Sequence, residues 1–321
     1  MDIRQIEYFM LIYETGSFSR AAEKAKIAQP ALSMQIRRLE DEFGIKFFER
    51  NPKGVQPTIA GRRLYERCIP IAKHFALALQ DMTEIGDGGK VTGDVRIGLP
   101  GSFNRGLLPR ILTPFLESYP NVNVAISEAY TGTLVEWVKG GHVDFAIGSR
   151  PKTQRGLVQR LIYRDKVVLM SGTPLNGANF TPIDLTQSEP LKLILPSQNQ
   201  SYGGVVRDWI ADGTIKVERI IEINGTISSS EFALRSDWAV VAPFVSVANE
   251  VAQEEPPDNF FIYPILSPSI PFDLYVVYDE RRPLSVAAKK FIERIELELR
   301  WLKTVWLKLK MHNASTTSRL L

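Results

Sequence analysis

The sequence predicts an α/β protein headed by a winged helix-turn-helix and a long linker helix, with two α/β lobes behind them. Three observations point there. Three short helical patterns are followed at once by strand, turn and strand; a heptad seam comes next; and beyond Asp87-Gly88-Gly89-Lys90 strands and helices alternate.

Ile3, Ile6, Phe9/Met10 and Tyr13 recur at helical spacing, and Gly16 ends the pattern. Ser17 is placed to cap a second helix, whose inner face is Phe18, Ala21, Ala22 and Ala25. A third begins near Gln29 with Pro30 in its first turn, buries Leu32, Ile36, Leu39 and Phe43, and stops at Gly44. Phe47–Arg50, the turn Asn51-Pro52-Lys53-Gly54 and Val55–Thr58 read as a β-wing. From Ile59 to Ile85, Leu64, Cys68, Ile71, Phe75, Ala78, Met82 and Ile85 step as heptads. A continuous seam with little other core nearby favours contact with a second copy over packing on its own domain. Pro70 is expected to kink or break this helix.

Strands follow at Val95–Leu99, Val122–Ser127, Val143–Gly148, Val167–Met170, Leu191–Leu195, Val217–Ile223, Trp238–Ala242 and Phe272–Tyr278. Helical patterns lie between them at 107–116, 133–139, 205–211 and around 231–235, and Ser285 caps a last one. This order implies mostly parallel sheets in two lobes, with the chain crossing near Tyr163–Lys166 and Pro264–Pro271. The expected organisation is 1–58 winged helix-turn-helix; 59–89 linker and hinge; 90–300 two-lobed domain (lobe 1 about 90–163 and 268–300, lobe 2 about 164–267); and 301–321 a basic extension.

Composition bounds the function. The chain has 321 residues, 44% hydrophobic and 23% charged, as expected of a folded soluble protein. No apolar run approaches the length of a membrane span, and the first residues carry charge rather than a secretory core, so a cytoplasmic protein without a membrane partner is expected. One cysteine, Cys68, excludes an internal disulfide, and three scattered histidines suggest neither metal nor cofactor. The net charge of +3 does not by itself announce a nucleic-acid binder. Residues 1–60 hold nine basic and eight acidic residues, but Arg37, Arg38, Lys46, Arg50, Lys53, Arg62 and Arg63 gather around the helix-turn-helix.

With Leu32, Ile36 and Leu39 inward, Gln29, Pro30, Ser33, Met34 and Arg37 face outward from the helix that would enter a major groove. Gln29 suits the N6/N7 edge of adenine, and Ser33 suits a base or a phosphate. Arg37, Arg38, Arg50 and Lys53 suit phosphates, which position a module without reading sequence. Double-stranded DNA is therefore an expected partner. At the ends of the lobe strands stand Ser102, Thr131, Ser149, Ser201-Tyr202 and Thr226. In open α/β sheets ligands bind there, and hydroxyls with helix N-termini suit a carboxylate or another small anion. Arg105 and Arg150 can either neutralise such an anion or face water. Trp238 can narrow a pocket or fill core. From Arg300 onward there are five basic residues and no acid. Leu302, Trp306 and Leu309 extend the stripe Phe291-Ile295-Leu299, which leaves packing, an oligomer contact or attraction to a membrane surface as readings; disorder is expected after His312.

Gly16-Ser17-Phe18-Ser19-Arg20-Ala21-Ala22-Glu23, Gln29-Pro30-Ala31-Leu32-Ser33, Ile36-Arg37-Arg38-Leu39-Glu40, Phe48-Glu49-Arg50 and Thr58-Ile59-Ala60-Gly61 together resemble the LysR-type transcriptional regulators. The resemblance continues more weakly through Gly93–Gly98, Tyr119-Pro120, Gly141–Asp144 and Arg282–Ser285, covering about residues 1–300. It implies a DNA-binding domain, a linker helix that dimerises, and an effector domain resembling periplasmic binding proteins. Tetramers are usual in the family, and RNA polymerase is a possible further partner. It also places Ser102, Thr131, Ser149, Ser201 and Tyr202 on positions that line effector pockets. The sequence departs from the family at Met34, where a basic residue is frequent, at Ala28, where Ser or Thr usually caps, and at Ser236 and Trp238, where Gly-x-Gly is common. No dinucleotide fingerprint, phosphate loop or nucleophile elbow supports an enzyme. A solute-binding protein without a DNA role is the remaining alternative.

Overall fold

The computed structural model describes the chain except for residues 52–53, 87–89, 150–154, 176, 199, 201, 254–255 and 318–321. The expected hinge at Asp87–Gly89 lies outside the described residues. The chain divides into two compact units, Met1–Lys90 with Arg281–Pro283, and Val91–Glu280 with Leu284–Leu321.

In the first unit, α1 (Ile3–Thr15) starts on a capping box: the Asp2 carboxylate accepts from Gln5 N at 2.9 Å, and Asp2 N donates back to Gln5 Oε1 at 3.1 Å. α2 (Phe18–Ala25) is capped by Ser17, whereas Ala28 gives α3 (Gln29–Phe43) no side-chain cap. Gly16 and Gly44 end α1 and α3 in the left-handed region, at φ 59° and 64°. The wing pairs β1 (Phe48–Asn51) antiparallel with β2 (Gly54–Pro57), Phe48 opposite Pro57 and Arg50 opposite Val55. Phe9 is fully buried between the helices and the wing, its ring 5.7 Å from Phe47 and 5.2 Å from Phe48, and contributes roughly 2–3 kcal/mol by burial.

α4 (Ile59–Gly86) opens at Thr58, whose Oγ1 accepts from Gly61 N at 3.0 Å. It continues through Pro70 without the expected break. Proline deletes a single ladder bond, and Cys68 before it and Ala72 after it both pack on the helical core. The heptad seam divides. Leu64 and Cys68 face that core, whereas Ile71, Phe75 and Met82 are 45%, 40% and 63% exposed. Leu79, outside the predicted register, is 55% exposed beside them.

The second unit runs β3 (Gly93–Leu99), α5 (Gly101–Gly106), α6 (Leu108–Ser118), β4 (Val122–Glu128), α7 (Thr131–Gly140), β5 (Phe145–Ser149) and β6 (Leu157–Asp165). It continues with β7 (Val167–Ser171), β8 (Ile183–Asp184), β9 (Leu191–Leu195), α8 (Gly203–Ala211), β10 (Val217–Glu222) and α9 (Thr226–Leu234). β11 (Ala239–Pro243), α10 (Ala248–Val251), β12 (Phe261–Ser267), β13 (Phe272–Asp279) and α11 (Val286–Thr317) complete it. The sheet of lobe 1 has the order β4-β3-β5-β13-β6, and that of lobe 2 the order β10-β9-β11-β7-β12-β8. The chain crosses at Lys166, and back again between β12 and β13.

Both sheets are mostly parallel in strand direction, as expected, with a single antiparallel strand in each, β13 in lobe 1 and β7 in lobe 2. β3 runs parallel to β4 and β5, but β13 runs antiparallel to β5 and β6, and β7 antiparallel to β11 and β12. Antiparallel neighbours arise because both crossing strands pair in the lobe they enter or leave. α11 packs first on lobe 1, where Phe291 lies 4.7 Å from Phe115. Its extension reaches lobe 2, with Trp306 edge-on to Phe180 at 5.1 Å and Phe244 at 4.8 Å. Packing is thus what Leu302 and Trp306 do, and helix continues past His312 to Thr317 where disorder was expected.

Candidate functional site: a helix face and an inter-lobe cleft

On α3 the inward stripe Leu32, Ile36 and Leu39 is at most 2% exposed, which turns Gln29, Pro30, Met34, Arg37 and Arg38 to solvent. Ser33 is half-buried and its Oγ accepts from Gln29 Nε2 at 3.2 Å, so the two side chains hold each other on the outer face. The Arg50 side chain and Lys53 lie outside the described residues. A contribution missed by sequence reasoning is Glu40. Its buried carboxylate accepts from Phe47 N at 2.9 Å, Phe48 N at 3.4 Å and Lys46 Nζ at 2.7 Å, tying the end of α3 to the wing. An acid within a Leu-Glu-Asp-Glu run gives no local sign of that role.

The second unit holds a cavity of about 500 Å³ between its lobes. Ser102, on α5, is 7% exposed and lines it. Thr131 opens α7, and its Oγ1 lies 3.0 Å from Ser149 Oγ and accepts from Ser149 N at 3.1 Å, joining the α7 start to the end of β5. Tyr202 donates its hydroxyl to Val241 O at 2.8 Å and meets Phe272 edge-on at 6.0 Å; burial raises its pKa well above the ordinary phenol value, so it stays an O–H donor. Thr226 opens α9 on the lobe 2 side. The structure thus brings Ser102, Thr131, Ser149, Tyr202 and Thr226 to one cavity; Ser201 lies outside the described residues. A Cβ on Gly101 would stand 2.7 Å from Glu128 Oε1 and 3.2 Å from Thr226 Oγ1, so a larger residue there must displace the Glu128 carboxylate.

Sequence reasoning missed Asn224, Ser229 and Ser230, which also line the cavity. Ser230 Oγ is buried and has no hydrogen-bond partner among the described residues. Tyr130 donates its hydroxyl to the Asn224 carbonyl from the opposite lobe. Arg105 does not serve an anion. Its guanidinium contacts Ser246 O and the Glu250 carboxylate of lobe 2, while Asn249 Nδ2 donates to Arg105 O at 2.7 Å. Arg150 lies outside the described residues. Trp238, 8% exposed against Phe232 and Arg219, fills core and is not in the cavity wall. Among the described lining residues Glu136 alone is charged, and Lys139 pairs with it at 2.9 Å. Among the described residues no three His, Cys, Asp or Glu gather as metal ligands, and no helix is long and apolar enough to cross a membrane.

A helix-turn-helix unit and a two-lobed α/β unit with an inter-lobe cleft are the two parts of a DNA-binding regulator that carries a ligand-binding domain. Residues 3–62 match the family described as bacterial regulatory helix-turn-helix protein, lysR family, and residues 88–300 match the LysR substrate binding domain. The chain therefore belongs to the LysR family of DNA-binding transcriptional regulators, which are not enzymes, and carries that family's effector-binding domain. The transcriptional regulator BenM of Acinetobacter baylyi is 27% identical over 281 residues, 86% of this chain and 89% of its own. The nitrogen assimilation regulatory protein of Klebsiella aerogenes is 26% identical over 95% of this chain and its whole length. Among solved structures, a full-length OxyR variant from Pseudomonas aeruginosa superposes with TM-score 0.65 at 19% identity, covering 94% of this chain and 95% of that one. The effector domain of BenM, solved with its effector benzoate, gives TM-score 0.54 at 20% identity over 65% of this chain and 93% of that one.

Proposed function

We propose that this regulator responds to a small organic acid held in the inter-lobe cleft. The observation that carries this reading is the convergence, on one cavity, of three hydroxyls from lobe 1 (Ser102, Thr131 and Ser149), the Thr226 hydroxyl of lobe 2 and the unpartnered Ser230, with Tyr202 lining the same cavity. Thr131 and Thr226 sit on the first residues of α7 and α9, where free backbone N–H groups favour an anion. With no described cation in the wall, the carboxylate is held by hydrogen bonds. The benzoate bound by BenM belongs to the same chemical class.

The rest of the reading follows from the first unit. Gln29 reads base edges, with Ser33, Pro30 and Met34 beside it on the α3 face. Arg37, Arg38, Arg50 and Lys53 engage phosphates. The exposed apolar residues of α4, Ile71 through Met82, are the surface through which two copies pair, with tetramers built from such dimers. The protein acts in the cytoplasm, and ligand changes the spacing of its paired reading helices.

A thermal-shift panel of aliphatic and aromatic carboxylates, amino acids and inorganic anions tests this. At 100 times Kd, binding adds about 2.7 kcal/mol, which moves the midpoint of a domain this size by roughly 5–10 °C. The expected result is a shift with one class of carboxylate that Ser102→Ala diminishes. A panel without any shift, or one in which only cations stabilise, overturns it.

A further inference from the structure

Ser230 stands apart from the other hydroxyls of the cleft. It lies in the middle of α9, away from either cap, and is 1% exposed. It lines the cavity, and its Oγ has no hydrogen-bond partner among the described residues. A serine inside a helix can turn its hydroxyl onto the carbonyl four residues back. For Ser230 that carbonyl is Thr226 O, which already accepts from Ser229 Oγ at 3.0 Å. Ser229 is thus satisfied by its own helix, and Ser230 is not. A buried hydroxyl left unpaired costs free energy, and alanine is the better helix former, so serine at 230 offers the fold less than alanine would. Its hydroxyl is available to whatever occupies the cavity.

The position of Ser230 relative to Thr226 sets a distance. Residues four apart share a helix face, with about 5–6 Å between their Cβ atoms. Thr226 is the first residue of α9, where free backbone N–H groups favour a carboxylate. Ser230 follows one turn along the same face. Val135, Ile223, Val240, Ala242 and Phe272 give the same cavity an apolar wall. A ligand with its carboxylate at the start of α9 therefore has an apolar surface for its body and one buried hydroxyl a helical turn further on. A plain acid leaves that hydroxyl unpaired, and a ligand hydroxyl can serve it as either donor or acceptor.

We propose that Ser230 is a specificity-determining residue that selects a hydroxy acid: a carboxylate whose apolar body carries a hydroxyl about one helical turn away. This rests on the reading of the cleft as a carboxylate site and narrows it.

The test is calorimetric titration of the full-length protein with matched pairs of acids in which a methyl replaces the hydroxyl. The pairs are 4-hydroxybenzoate with 4-methylbenzoate, 3-hydroxybenzoate with 3-methylbenzoate, and 5-hydroxypentanoate with hexanoate. In at least one pair the hydroxy acid is expected to bind roughly tenfold or more tightly than its methyl partner, because a site built to pair a hydroxyl rejects the analogue that lacks it. Ser230→Ala is expected to abolish that preference and to leave the affinity for the methyl acid as it was. Without ligand, Ser230→Ala should melt no lower than the parent, since it removes an unpaired buried group. Equal binding within every pair overturns the proposal and leaves the cleft reading standing. A preference that survives Ser230→Ala, or an unliganded Ser230→Ala that melts well below the parent, also overturns it, the latter by making the hydroxyl a structural group. Failure of all six acids to bind overturns it together with the cleft reading.

Discussion

Replacing Glu40 by alanine should loosen the wing from the recognition helix and leave the second unit untouched. Its carboxylate has side-chain exposure of 9% and holds Phe47 N, Phe48 N and Lys46. Lys46 is 65% exposed, so that ion pair contributes little beyond about 0.5 kcal/mol. The larger loss is the Phe47 N–H, bonded at 2.9 Å in a residue 4% exposed, which alanine leaves without an acceptor at a cost of roughly 1–3 kcal/mol. The longer bond from Phe48 N adds less, giving about 2–4 kcal/mol in all. Glu40→Gln keeps a neutral acceptor and should cost only about 1 kcal/mol. All five tryptophans lie at 137 and beyond, so their fluorescence reports the second unit alone, while far-UV circular dichroism sees both. In urea, the helical transition of the first unit should move to lower denaturant and the tryptophan transition should stay. A loss below about 0.5 kcal/mol, or a shift of the tryptophan transition, refutes the reasoning.

Other perturbations have equally definite outcomes. A Cβ on Gly106 would lie 1.7 Å from Val245 O, so Gly106→Ala should lower stability by roughly 1–3 kcal/mol or more in a thermal melt; an unchanged midpoint contradicts the close contact of α5 with lobe 2. Trp306→Ala removes the half-buried indole from Phe180 and Phe244, and should cost about 2–3 kcal/mol by tryptophan-monitored denaturation. Asp165, fully buried at the crossing with Oδ2 accepting from Val245 N at 2.9 Å, has its pKa raised by desolvation from 3.8 to about 7. The native state therefore holds a proton that the unfolded chain has released, so this group's contribution falls as pH rises from about 4 to 7 and levels above that. Midpoints measured from pH 5 to 8 should fall less in Asp165→Asn than in the parent; equal slopes contradict it.

The helix-turn-helix was legible because its signals are local: Leu32, Ile36 and Leu39 share a stripe, Ser17 caps α2, and the runs about Phe48 and Val55 pair as the strands of a wing. The polar cleft was legible through the rule that ligands sit at strand ends, which singled out Ser102, Thr131, Ser149 and Thr226. β6 was not. As an edge strand it exposes residues on both faces, and a register shift beside Tyr163 breaks the alternation. Arg105 was misread because its partners, Ser246 and Glu250, lie more than a hundred residues away. Ser230 sits mid-helix among other serines, and only the fold shows its hydroxyl unpartnered at a cavity. The heptad seam was half right for a physical reason: Leu64 and Cys68 meet a core that the same helix supports, and burial there pushes the Cys68 thiol up to about 11, away from reactivity.

The most direct test of the account is a footprint on a DNA site selected by the protein itself. It would be taken with and without the carboxylate that gives the largest thermal shift, for the parent chain and for Ser102→Ala. The account predicts that ligand alters the protected boundary or the affinity of the parent, and that Ser102→Ala binds the same DNA but responds only at much higher ligand concentration. Identical footprints with and without ligand in the parent, at saturating acid, would contradict the claim that the cleft governs how this chain holds DNA.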